Sequence, residues 1–148
     1  MDLGEAALRL ARTASSVLVE DGKVLPLAFL LGPDGGIAGG VVLDFSSQES
    51  KEASVAAVHA IAKKTGCPVA YVTEAWMSRN PKPGIAPSED PDREEVVVVA
   101  VFGPRSSASA IVRFSRDASG RPVPSEPELV EHRMESWMDP WPDRESLH

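Results

Sequence analysis

The run Val96-Val-Val-Val-Ala-Val-Phe102 constrains this chain more than any other stretch. It is apolar at every position, mostly β-branched, and far shorter than the roughly 18 residues that a bilayer span requires. It therefore reads as a strand. A half-buried strand alternates apolar and polar residues, and this one does not. Both of its faces must be covered, which predicts a place at the centre of a sheet.

The strand before it is Val69 to Met77. It carries one acid, Glu74, two residues from Trp76. Between the two strands lies a connection of about 15 residues, Ser78–Asp92, with Pro81, Pro83, Pro87 and Pro91 stiffening it toward polyproline II. Connections of that length in a small domain are lids, binding loops or passive linkers. This strand–loop–strand block is where a site would be built.

The remaining elements follow from periodicity and punctuation. Apolar residues at 3, 6, 7, 10, 14, 17 and 18 predict an amphipathic helix, with Asp2 and Glu5 as a capping box. Val24 to Leu31 is a short strand, with Pro26 near its start. Gly32-Pro-Asp-Gly-Gly36 is a hairpin turn, not a phosphate loop, because no G-x-x-x-x-G-K-[ST] or G-x-G-x-x-G pattern is present. Ile37 to Phe45 returns as the partner strand, and Gly39-Gly40 within it suggests a bulge or a close backbone approach. Ser46 with Glu49 predicts the start of a second helix that ends at Thr65-Gly66. Ala108 to Arg116 is the fifth strand. Beyond Arg121 the chain becomes acidic and proline-punctuated, with Glu128 to Trp137 as a short helix.

The expected fold is α+β: a single, mostly antiparallel sheet of about five strands in the order α-β-β-α-β-β-β, with the helices on one face. Residues 1–121 form the domain and 122–148 a partly ordered tail.

A net charge of −7 argues against non-specific nucleic-acid binding and against docking on anionic membranes. The single cysteine, Cys67, allows no disulfide within the chain and reads as a small buried hydrophobe in a cytoplasmic protein. His59 has no Asp or Cys at helical spacing, and His132 and His148 sit outside any metal-binding pattern, so neither metal nor cofactor is expected.

For acid–base chemistry the candidates are Glu74, Arg93, Glu94 and Glu95, a carboxylate–arginine group at adjoining strand ends. Against this stands a plain reading, in which these charges guard the entrance of a very apolar strand. For binding, the candidates are Trp76, Arg79, Asp92, Trp137 and Trp141, because tryptophan and arginine are favoured interface anchors. The plainer reading of the tail tryptophans is that they fold back over the sheet.

The run Thr73-Glu-Ala-Trp76, the loop with Pro87-Ser-Glu-Asp-Pro-Asp-Arg-Glu94, and the apolar strand after it resemble small uncharacterised proteins of bacteria and their phages. That likeness implies no activity, and at most an accessory role in phage or defence biology. The element order is also similar to that of roadblock and profilin-like domains, which implies a binding or dimerisation platform. The expected function is protein–protein association or homo-oligomerisation, through a strand edge or the tail. The alternative is a hydrolase-like acid/base enzyme built on residues 74–95.

Overall fold

The computed structural model describes residues 2–78, 80, 82–131 and 136–143. Two helices and seven strands follow one another as α1 (Leu3–Asp21), β1 (Leu27–Leu31), β2 (Ile37–Val42), α2 (Gln48–Thr65), β3 (Val69–Ser78), β4 (Arg93–Phe102), β5 (Ser107–Arg116), β6 (Pro122–Pro124) and β7 (Glu128–Val130). The fold is α+β, and every strand pairing is antiparallel.

The expected caps form at both helix starts, with one shift. Asp2 accepts the Glu5 N–H, as predicted. In α2 the cap is Ser47, which accepts the Ser50 N–H, while Ser46 instead donates its hydroxyl and its N–H to Asp44. Gly22 and Gly66 close the two helices with left-handed backbone, which a glycine adopts without strain. The hairpin turn is tied by Gly32 N–H to Gly36 O and by Gly36 N–H to the Asp34 carboxylate.

The sheet order is β2-β1-β3-β4-β5-β6, with β7 also on β5. The apolar run lies at the centre, as its composition predicts. β3 and β4 pair along their whole length, from Val69 opposite Phe102 to Ser78 opposite Arg93.

Two expectations are corrected here. The helices do not share a face. α1 packs its Leu3, Leu10 and Leu18 stripe against Val97, Val99, Val101, Ala110 and Val112. α2 packs Val55, Val58 and Ala62 on the other side, against Val69, Tyr71, Ala100 and Phe102. The reason lies in β4 itself: odd and even residues point to opposite faces, both sets are apolar, and each needs its own cover. The strand count also rises to seven. Glu128–Val130 is not helical but pairs with Ser109–Ile111 along the outer edge of β5, where β6 has already paired further along. A single 3-10 turn, Ser136–Met138, is the only helical piece in the described part of the tail.

α1 covers β4 and β5, and α2 covers the β3–β4 side of the other face. The β1–β2 end of the sheet is therefore open. β2 is an edge strand, and five of its six residues are exposed.

Candidate functional site

The block from Glu74 to Glu95 splits across the sheet. Pairing places Glu74, Trp76, Arg93 and Glu95 on the α1 face and Met77 and Glu94 on the α2 face. Beyond the end of α1, Glu95 takes two hydrogen bonds from the Arg116 guanidinium, at 2.9 and 3.2 Å. The Arg93 guanidinium stacks 4.7 Å over the Trp76 ring and donates to the Asp90 carbonyl at 3.3 Å. Glu74 accepts the Val24 N–H at 3.2 Å and so pins the entry to β1. No hydrogen bond or ion pair joins Glu74 to Arg93 among the described residues. On the other face Arg113 bridges Glu94 and Glu128, tying β4, β5 and β7 together. The Arg116–Glu95 and Arg113 pairs are ion pairs of a partly solvated sheet end, where solvent screens most of the attraction.

The connection after β3 is compact where it is described. It contains a 3-10 turn at Pro87–Glu89, and Asp90 behind it is only 1% exposed. Asp90 is the capping residue: its Oδ1 accepts the Asp92 N–H at 2.8 Å, while Asp92, a binding candidate, is exposed. Its other oxygen, Oδ2, is buried without a hydrogen-bond partner. The bond from Asp92 N–H holds the Asp90 carboxyl below the usual carboxylate range against the opposing effect of burial, helped by the nearby Ser78 hydroxyl and by the charges of Lys82 and Arg93. A carboxyl depressed on folding stabilises the fold above the unfolded value and loses that contribution as pH falls through its lower folded value. The stability advantage of the native chain over Asp90→Asn is therefore expected to be full at neutral pH and to shrink below about pH 4. Urea midpoints from pH 2.5 to 7 check this, and a pH-independent difference would contradict it. Asp90 went unnoticed in the sequence, although Asp90-Pro-Asp92 is a recognisable turn signal.

The tail returns over α2. Met138 is 1% exposed and joins Val55, Val58 and Tyr71 in the α2-side core, with Trp141 packed against the same cluster. His59 Nε2 lies 2.6 Å from the Met138 carbonyl, and since a carbonyl only accepts, the ring nitrogen donates. Lys51 sits over the rings of Phe45 and Trp137. Trp141 thus serves the core, while Trp76 and Trp137 keep exposed rings. Arg79, His132 and His148 lie outside the described residues, and Cys67 is half-buried rather than buried.

Beneath the tail the Tyr71 hydroxyl is buried with no partner. Burial pushes its pKa up, and the Asp139 charge adds to the shift. An unpaired buried hydroxyl costs about 1–3 kcal/mol, so Tyr71→Phe is expected to raise the unfolding free energy by about 1 kcal/mol. Urea unfolding measures it, and a loss of stability would mean that the hydroxyl is engaged after all.

The β2 edge is the third feature, and the sequence showed only half of it. Ile37, Val41 and Val42 are 56%, 51% and 60% exposed on a strand with neither charge nor proline. On the α1 side an apolar hollow of about 370 Å³ opens between α1 and β1, lined by Leu10, Val17, Leu27, Phe29 and Ile37. On the α2 side a smaller one of about 100 Å³ lies between α2 and β2. Gly40 is held without a side chain by the Phe29 ring, since a Cβ there would meet Phe29 Cδ1 at 2.9 Å.

No family model, curated protein or solved structure matches the chain. Among the described residues no helix is long and apolar enough to cross a membrane, and no group of metal-ligating side chains comes together.

Proposed function

We propose that the protein acts by protein–protein association, and that its working surface is the β2 edge, which takes an extended strand from a partner. The observation that carries this reading is the exposure of a whole apolar strand with unpaired backbone on its outer side. Edge strands are ordinarily blunted by lysine, proline or a covering loop, because a bare edge is a template for another strand. β2 carries neither lysine nor proline, and apart from the register shift at Ala38 its edge is regular, while its flanks offer hollows on both faces for the alternating side chains of an added strand.

The acid–base alternative finds less support. Glu74 is occupied by Val24 N–H, Arg93 by Trp76 and the Asp90 carbonyl, and Glu94 and Glu95 lie on opposite faces.

The test is a photo-crosslinking residue placed at Val41 and, as a control, at exposed Lys63 on α2, expressed in cells. Polypeptide adducts are expected at position 41 and not at position 63. Equal yields at both positions, or none at 41, would overturn the reading.

A further inference from the structure

We infer that the strand the β2 edge receives is β2 of a second copy, paired antiparallel about a two-fold axis with Gly40 opposite Gly40. This rests on the association reading above and adds to it the partner and the register.

The backbone sets which residues face outward. Leu43 N–H donates to Pro26 O at 2.8 Å, so that pair faces inward across β1–β2. The alternation of an antiparallel ladder then points the Val41 groups inward to Ala28 and the N–H and C=O of Gly40 and Val42 away from the sheet. On the other side of Gly40 the register with β1 jumps from Gly39 to Ile37 and skips Ala38. An antiparallel copy can therefore exchange bonds at Gly40–Gly40, with Val42–Ala38 on either side.

The side chains agree with that register. Gly39 and Val41 lie on the α2 face, opposite Leu30 and Ala28. In the proposed pairing Val41 of each copy stands directly across from Gly39 of the other. The hollow of about 100 Å³ lies there, lined by Ala28, Leu30, Gly39, Val41, Val58 and Ile61. It is too small for an ordinary ligand, which needs roughly 300–1,000 Å³, and suits one small branched side chain. Gly39 has no role within its own chain that requires glycine: its φ is not positive, and a Cβ there would meet nothing within 4 Å. Its missing side chain leaves a notch, and the two-fold axis fills both notches at once with the two Val41 side chains.

Charge permits the same arrangement. No charged residue stands between Gly36 and Leu43, so the ladder sets no like charges opposite each other. At its ends Asp44 of one copy comes opposite Gly36 of the other, where the Asp34 carboxylate on the Gly36 N–H and the Arg9 guanidinium on the Gly35 carbonyl place one acid and one cation beside it.

Sedimentation velocity over a concentration series is the test, with circular dichroism to confirm folding. The native chain is expected to sediment as a dimer. Val41→Lys, which brings a charge into the Gly39 notch, is expected to weaken the dimer at least about a hundredfold. Gly39→Val is expected to do the same, although the space around Gly39 lets the single chain fold. A dimer lost with Val41→Lys and kept with Gly39→Val would overturn the register and leave the edge reading in place. A native chain that stays monomeric at millimolar concentration, while position 41 crosslinks to another protein, would overturn the second copy as partner. A monomer without adducts at position 41 would sink the edge reading as well.

Discussion

Leu18→Ala is expected to lower the unfolding free energy by about 2–5 kcal/mol, the usual range for emptying a fully buried leucine site. Leu18 is fully buried in the α1-side core with Val72 and Val97. Val55→Ala on α2 is expected to cost less, roughly 1.5–3 kcal/mol, because fewer methyl groups are lost. The informative quantity is their sum. The two side chains belong to separate clusters on opposite faces of the sheet, so they share no cavity and no partner. The double variant is expected to lose the sum of the single losses to within about 0.5 kcal/mol. Urea unfolding of the four proteins in the cycle measures it. A coupling energy above about 1 kcal/mol would mean that the helices pack into one common core.

That the helices lie on opposite faces is legible in the sequence, although the connectivity points the other way. Val97, Val99 and Val101 alternate with Val96, Val98, Ala100 and Phe102, and seven apolar residues in a row need cover on both sides. The connectivity suggested one covered face, whereas the composition of β4 called for two, and burial decided. The order of elements from α1 to β5 was readable because each carries local punctuation: Asp2 and Ser47 at helix starts, Gly22 and Gly66 at helix ends, Asp34-Gly35 in the hairpin. What local signals do not carry is long-range choice. Leu129, Arg133 and Trp137 are spaced as in a helix, yet Glu128–Val130 extends along β5 because that edge still had free backbone groups to satisfy. Likewise Ile37 to Val42 reads as one half of a hairpin. Its place at the sheet edge follows only because β3 takes the other side of β1. The directions of the acidic and basic residues of the central block are not legible in the sequence: the period of two separates Glu94 from Glu95, and Glu74 turns to a backbone N–H that no motif announces.

Met138→Ala is expected to cost about 2–5 kcal/mol, the usual range for emptying a buried methionine site. Its side chain is 1% exposed and fills the α2-side core beside Val55, Val58 and Tyr71, so truncation leaves a cavity that the short tail cannot close. The backbone around it is tied by the bond from His59 to the Met138 carbonyl, and Trp141 closes the same cluster. Loss of the methionine should therefore free the segment as well as weaken the core. Chymotryptic cleavage after Trp137 is expected to accelerate, and the emission of Trp141 to shift toward that of a solvated indole. His59→Ala is expected to produce the proteolytic change with a smaller stability loss, near 1 kcal/mol, because it removes one hydrogen bond and no core volume. A Met138→Ala variant as stable and as protease-resistant as the native chain would show that residues 136–143 lie on α2 without being part of its core.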